Sequence, residues 1–274
     1  MKHAVSFLFI ISALASTNRA ETLTIENQAL RVELAPDTGL LRVVEKAGGF
    51  TWEQAPSKPQ TNAIYRALGR KDAAMDVEQT ADVGKGAKIA VRLRFSLPDP
   101  NAAELRVEAT VDDPKTPIGE IRFLEPFVLD ARRGVLAVAD YSNGHLYPLD
   151  TDPFPRRSFS GDRLDLPWVA LCDLDSCRGY LLLLETSDDA SINMRDVTVA
   201  GGKKIPAPQV SWRPQKGAWG YARSVRYFFE PRGGYVSLCK SYRKYAKDRG
   251  LIVPFTEKLK KNPNLNRLFG EGHD

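Results

Sequence analysis

The period-two alternation of apolar and polar residues constrains this chain more than any other feature. Leu30, Val32 and Leu34 alternate with Arg31 and Glu33. Ile89, Val91, Leu93 and Phe95 alternate with Lys88, Arg92 and Arg94, and Leu105, Val107, Ala109 and Val111 with Glu104, Arg106, Glu108 and Thr110. Successive side chains of a strand point to opposite faces, so each stretch predicts a strand with one buried and one wet face. Turn chemistry separates these stretches: Pro36-Asp37-Thr38-Gly39, Gly48-Gly49, Gly84-Lys85-Gly86, Pro98-Asp99-Pro100-Asn101 and Asp112-Asp113-Pro114. Helical spacing is scarce before Gly233. Many short strands with regular turns predict an all-β fold, a large antiparallel supersandwich.

The second half reads as more buried. Trp168 to Leu171 and Tyr180 to Leu184 are near-continuous apolar runs. Such strands are covered on both faces and belong in the middle of a sheet. Asp173-Leu174-Asp175-Ser176 connects them, which predicts a hairpin, and Val225, Tyr227 and Phe229 mark a late strand. Between Tyr141 and Leu166 no period is clear. That stretch, with Tyr141-Ser142-Asn143-Gly144-His145 and then Asp150 to Arg163, reads as a loop-rich insert of the sort that carries function on β scaffolds.

Gly233-Gly234 closes the strand-rich region. Tyr235, Leu238, Cys239, Tyr242, Tyr245 and Ala246 then recur at helical spacing, with Lys240, Arg243, Lys244, Lys247 and Asp248 on the other faces. Gly250 stands where a left-handed C-cap belongs, and Pro254 follows. Thr256 is placed to cap a second short helix over Glu257 to Lys261, closed by Pro263. The basic run from Lys240 to Arg249 is interleaved with tyrosines, so it reads as the wet face of this helix rather than a polyanion site.

The first 20 residues read as a signal peptide. Lys2 and His3 precede the apolar run Ala4 to Leu14, with cleavage signals at Ala13-Leu14-Ala15 and at Ala20. That run is too short for a membrane span, and no other long apolar stretch exists, so an exported chain with no membrane span is expected, periplasmic or extracellular. Cutting after Ala20 removes Lys2 and Arg19 and lowers the formal net charge from +5 to +3. A balance this mild argues against nucleic acid as a partner. The remaining length suffices for a full core.

Few residues stand out as chemistry. Cys172 and Cys177 flank the hairpin loop; an exported chain favours a disulfide between them, with two free buried thiols the second reading. A metal there lacks two further ligands, so neither metal nor other cofactor is expected. Cys239 reads as a packed thiol on the helix stripe. Only His145, of three histidines, lies inside the domain, and no G-x-S-x-G accompanies it. The carboxylates are plentiful, but none is marked out as catalytic. Aromatic faces stack on sugar C–H groups while neighbouring polar groups bind hydroxyls. The candidate carbohydrate-binding set is therefore His145, Tyr147, Arg156 and Arg157 in the insert, with Trp212 and Trp219, which flank the turn-like Arg213 to Gly217 and are expected to be partly exposed. Trp168 reads as core.

Three ordered blocks carry a family resemblance. They are Pro167-Trp168-Val169-Ala170 through Gly179-Tyr180-Leu181 to Asp188-Asp189-Ala190; Gly220-Tyr221-Ala222-Arg223-Ser224-Val225-Arg226-Tyr227; and Tyr242-Arg243-Lys244-Tyr245-Ala246 with Gly250, Glu257-Lys258, Asn262-Pro263 and Leu268-Phe269-Gly270. From Leu166 to Gly270 the chain resembles the N-terminal β-sandwich and linker of glycoside hydrolases related to families 101 and 129, the α-N-acetylgalactosaminidase type. The resemblance implies a galactose-mutarotase-like supersandwich over 21–232 and a helical linker over 233–274. It implies that Leu268-Phe269-Gly270 stands near the first strand of a (β/α)8 barrel that supplies the catalytic acids. No catalytic residue carries over, because those acids lie in the barrel. Sandwiches of this kind also resemble aldose 1-epimerases, whose pair of histidines this chain cannot supply. The expected function is a non-catalytic, carbohydrate-associated region of an exported glycoside hydrolase, a truncated or split piece whose partners are a glycan and a barrel domain or chain. The alternatives are a free-standing carbohydrate-binding module and a small sugar-active enzyme using the 141–163 loops. If a barrel docks beside the linker, Tyr235, Tyr242, Tyr245, Leu251, Ile252 and Phe255 form an exposed apolar patch.

Overall fold

The computed structural model describes residues 21–56, 65–84, 87–113, 115, 117–122, 124–140, 143–214 and 217–268. The expected signal peptide, Tyr141, and the end of the linker beyond Leu268 lie outside them.

The chain opens with a meander, β1 (Leu23–Glu26), β2 (Leu30–Ala35), β3 (Leu40–Glu45) and β4 (Phe50–Glu53), paired in that order. Four long strands follow: β5 (Tyr65–Lys71), β6 (Ala74–Gly84), β7 (Ala87–Ser96) and β8 (Glu104–Val111). Then come the short β9 (Ile121–Arg122), β10 (Gly134–Asp140), β11 (Asn143–Pro148) and β12 (Ser158–Ser160). The last strands are β13 (Leu164–Asp173), β14 (Gly179–Leu184), β15 (Ala190–Thr198), β16 (Lys204–Trp212) and β17 (Arg223–Glu230). Helices α1 (Gly234–Asp248) and α2 (Phe255–Lys261) complete the described chain. Every strand pair is antiparallel.

One layer is a nine-stranded sheet in the order β11-β10-β13-β14-β17-β8-β7-β6-β5. Facing it are the β1–β4 sheet and a second four-stranded sheet, β12-β15-β16-β9. Residues 126–128 stitch these two together: the Val128 N–H donates to the Glu53 carbonyl at 3.1 Å and the Ala55 N–H to the Pro126 carbonyl at 3.1 Å. The expected alternation sets the core. Leu30, Val32 and Leu34 are buried with Val91, Leu93, Phe95, Leu105 and Val107. At its centre Trp52, Phe127, Tyr180, Tyr227 and Phe229 pack largely edge to face, and the Tyr180 hydroxyl donates to the Phe127 carbonyl across the layers at 2.9 Å. Burial places both Tyr180 and Tyr227 well above the usual phenol range.

The hairpin of β13 and β14 lies inside the large sheet, as its continuous apolar runs require. Alternate residues of these strands go to opposite sides. Val169, Leu171, Tyr180 and Leu182 join the main core, whereas Trp168, Ala170, Leu181 and Leu183 join Ala137 and Phe228 in a second cluster, closed by Leu238 of α1. The helix thus covers the outer face over β10, β13, β14 and β17. Gly179 is needed for that approach: a Cβ there would sit 2.4 Å from the Leu171 carbonyl and 2.9 Å from Leu238. Gly234, at φ 63°, turns the chain from β17 into α1, and its N–H donates to the Cys177 carbonyl at 2.7 Å. The helix ends as expected, with Gly250 at φ 68° and the Leu251 N–H returning to the Ala246 carbonyl at 2.8 Å.

Several expectations need correction. The 141–163 insert is not all loop: it contains β11, which edges the large sheet, and β12. Helix α2 starts at Phe255 with Pro254 as its N-cap, so Thr256 lies within the helix and caps nothing. Cys172 and Cys177 are not opposed. Cys172 faces Gly179 across the hairpin, Cys177 sits in the turn at φ 55°, and their sulfurs are not bonded in this structure. In the expected patch, Leu251, Ile252, Phe255 and Tyr235 are exposed, but Tyr242 and Tyr245 pack against the second cluster.

Candidate functional site

Strand β11 presents the first group of candidate residues. His145 and Tyr147 are two apart, so they share a face, and their rings stack at 5.6 Å between centroids. Tyr147 meets Phe154 edge-on at 6.1 Å. Both residues lie opposite Val138 and Leu136 of β10, on the side of the sheet that faces the core, and both remain partly exposed because β11 is the sheet edge. Arg156 lies over the Phe159 ring at 4.8 Å and pairs with the buried Asp140. Arg157 pairs with Asp196 at 2.6 Å. Phe154, Arg157 and Asp196, with Asp150, Asp152 and Lys204, line an open cleft of about 320 Å³. The structure therefore stacks His145 on Tyr147 as an aromatic ledge that Phe154 links to the cleft lined by Arg157, while Arg156 turns to Phe159 and Asp140.

The two tryptophans are different. Trp212 is 0% exposed and Trp219 1%, so neither offers a face to a ligand in solution. They pack on each other at 6.3 Å, and the Trp212 indole donates to the Thr186 carbonyl at 3.1 Å. The expected partial exposure fails because the turn they flank folds back: the Ile118 N–H donates to the Gly217 carbonyl at 2.8 Å, and Ala218 bridges Pro117. The aromatic left exposed here is Tyr221, at 48%. Arg223 lies 3.4 Å from the Tyr221 ring centroid and 4.7 Å from that of Trp219, and holds Asp189 through two bonds of 2.9 and 2.6 Å. Gly220-Tyr221-Ala222-Arg223 entered the sequence reading only as part of a family-like block; a buried arginine as a ring support was not legible there.

Under α1 lies a third group, absent from the sequence reading. Glu185 accepts from Arg106 at 2.6 Å, from Arg226 at 2.7 Å and from the Tyr245 hydroxyl at 3.2 Å, and Arg249 stands 3.5 Å away. Arg226 also pairs with Glu104. Glu104, Arg226, Tyr245 and Arg249 border a cavity of about 550 Å³ between α1 and the 98–103 loop. Burial raises the Tyr245 phenol, with Glu185 adding to the effect.

What this chemistry can do follows from its pairing. Glycoside hydrolysis needs two carboxyl groups across the scissile bond, one of them a held acid. The buried carboxylates Asp140, Asp189 and Glu185 each pair with arginine. Among the described residues no group of three His, Cys, Asp or Glu side chains is arranged to hold a metal ion, and no helix is long and apolar enough to cross a membrane.

No known family model matches the sequence. No curated protein matches it either. Solved structures do. The α-N-acetylgalactosaminidase NagBb from Bifidobacterium bifidum, in complex with GalNAc, superposes with a TM-score of 0.71 at 17% identity, over 90% of this chain and 42% of that one. Its ligand-free form gives 0.68 at 18% identity, over 88% and 41%. The chain spans about two-fifths of the length of the enzyme it matches. At that identity the likeness establishes the fold: this chain has the architecture of part of an α-N-acetylgalactosaminidase, the kind of enzyme that the blocks from Leu166 to Gly270 resemble.

Proposed function

We propose that this chain is the non-catalytic, carbohydrate-associated β-sandwich region of an exported glycoside hydrolase, and that residues 233–274 lead toward a barrel domain or chain that carries the catalytic acids. The observation that carries the reading is the superposition on NagBb, near-complete for this chain and under half for the enzyme. The exposed Leu251, Ile252 and Phe255 beyond α1 support a docked neighbour, since apolar side chains seldom cluster in water without one.

The glycan contact is assigned to His145, Tyr147, Arg156 and Arg157, with Tyr221 in place of Trp212 and Trp219. The ledge of His145, Tyr147 and Phe154 favours a second reading, a free-standing carbohydrate-binding module.

The purified chain, assayed on aryl α- and β-glycosides of galactose, N-acetylgalactosamine and glucose, is expected to show no turnover. Turnover that survives repeated chromatography and disappears with one Asp or Glu substitution within 21–274 would overturn the reading. Glycan-array binding is expected to weaken roughly 3- to 10-fold in His145→Ala/Tyr147→Ala, the size of an aromatic contact. A barrel domain supplied in trans gains activity from this chain if it is a hydrolase region, and gains none if it is a module.

A further inference from the structure

The turn between β13 and β14 brings two thiols to one place. Cys172 holds the last ladder position of β13, opposite Gly179, and Cys177 lies in the turn. Both sulfurs lie 3.9 Å from the position that a Gly234 Cβ would take, so they flank one point beside the backbone that opens α1. Cys177 stands at φ 55°, a left-handed conformation that glycine or asparagine adopts more cheaply. The turn would close as well with glycine there, so the backbone does not explain the thiol.

The same turn caps the helix. Gly233 supplies no side-chain cap to α1, and the first turn carries no acidic residue. The N–H groups of a helix start need acceptors from elsewhere. The Gly234 N–H donates to the Cys177 carbonyl at 2.7 Å, and the Tyr235 N–H donates to the Cys172 sulfur. The Cys172 thiol donates in turn to the Asp173 carbonyl at 3.5 Å. Both acceptors at the helix start belong to the two cysteines, so the state of the sulfurs bears on how α1 is seated. Their access differs: Cys177 is exposed and Cys172 buried. Burial, offset in part by the Tyr235 N–H, pushes the Cys172 thiol up to about 11. Cys177 is therefore the thiol that a reagent in solution meets first.

We propose that Cys177 and Cys172 form a reversible thiol–disulfide site whose oxidised form pins the turn that caps α1. The co-reactant is a small disulfide, RSSR. Cys177 gives its proton to water and attacks one sulfur of RSSR; a Cys177–SR bond forms, the R–S–S–R bond breaks, and the leaving RS⁻ takes a proton. Cys172 then gives its proton to water and attacks the Cys177 sulfur; the Cys177–SR bond breaks and a second RSH leaves. Two protein thiols are oxidised, and one small disulfide is reduced to two thiols. The loop closed is too short to restrict the unfolded chain much, so the effect is local to the turn and the helix start. The inference is independent of the function proposed above, because no residue assigned to the glycan lies in this turn.

Mass spectrometry of the full purified chain, reduced, desalted and then exposed to glutathione disulfide, tests the order of events. A transient glutathione adduct on Cys177 should give way to a Cys172–Cys177 link, with Cys239 unmodified. Cys172→Ser should hold the adduct on Cys177, and Cys177→Ser should take up glutathione at Cys172 at least ~10-fold more slowly. Hydrogen exchange reads the pinning: the amides of Tyr235 to Leu238 should exchange at least ~3-fold more slowly after oxidation, and dithiothreitol should reverse this. An adduct that persists on Cys177 in the unsubstituted chain, or a bond from either residue to Cys239, overturns the site, and neither result needs a variant to fold. Equal exchange at the start of α1 in the two forms overturns the pinning. A link that dithiothreitol leaves intact overturns the reversibility.

Discussion

The nine-stranded sheet has two halves that differ on one face only. Over β10, β13, β14 and β17 the outer face is apolar and α1 seals it through Leu238. Over β5 to β8 the same face is bare and charged, with Arg94 paired to Asp76, Arg92 to Asp112 and Arg66 to Glu78, each at 3.0 Å. Both halves bury the inner face alike. The difference shows that the pattern of a strand records what covers it: a continuous apolar run where a helix docks, alternation where water does. Charge behaves differently in the two halves as well. In the bare half ion pairs are screened and side by side; under the helix Glu185 and Arg226 are enclosed and depend on each other.

Removing the buried carboxylate should break the covered half most. Glu185→Ala leaves Arg226 enclosed beside Glu104 alone, with the Arg106 Nε and the Tyr245 hydroxyl also stripped of their acceptor, and should cost about 3–5 kcal/mol in urea unfolding. Leu238→Ala, which opens the seal of α1 over Trp168, Leu181 and Leu183, should cost roughly 2–5 kcal/mol and increase binding of a dye specific for exposed apolar surface. A loss under 1 kcal/mol would mean that α1 is held by its ion network rather than by packing.

The start of α1 sharpens the comparison chemically. Cys172 lies buried behind it, and burial pushes its thiol up to about 11, so at pH 8 its thiolate is scarce. Cys177 is exposed in the turn. Iodoacetamide followed by mass spectrometry should label Cys177 first and Cys172 roughly 100-fold more slowly. Because the native thiol is harder to ionise than the unfolded one, Cys172 contributes stability that is full below the unfolded pKa and lost as pH rises through about 11. If export oxidises the pair, neither labels without reductant; the two sulfurs would then have joined through the turn, not across the ladder. The smallest effect belongs to the bare half: Arg94→Ala should change stability by about 1 kcal/mol or less and be insensitive to salt above ~0.15 M. A larger loss would show that this face is covered in the assembled protein.

The candidate site was partly legible. His145, Tyr147, Arg156 and Arg157 were named from the sequence; the fold stacks His145 on Tyr147 at the β11 edge and puts Arg157 in the cleft beside Phe154. Trp212 and Trp219 were misjudged, because a turn-like stretch between two aromatics does not reveal that it folds back onto Ile118. Glu185 gave no signal at all, since its three arginines and its tyrosine lie 41 to 79 positions away in the sequence and reach it only through β8, β17 and the end of α1.

The sequence alone marked β2, β7, β8, β13, β14 and β17 as strands, which face of the alternating ones is buried, where α1 begins and ends, and that β13 and β14 lie inside a sheet. These are local properties, set by a period of two or 3.6 and by glycines whose φ no other residue adopts cheaply. Only the tertiary structure decided that Cys172 meets Gly179, that the two tryptophans are interior, and which arginine holds each buried carboxylate. Register and ion pairing join residues far apart in the chain, and many partners of the same charge are locally equivalent, so their choice is fixed by the geometry of the whole sandwich.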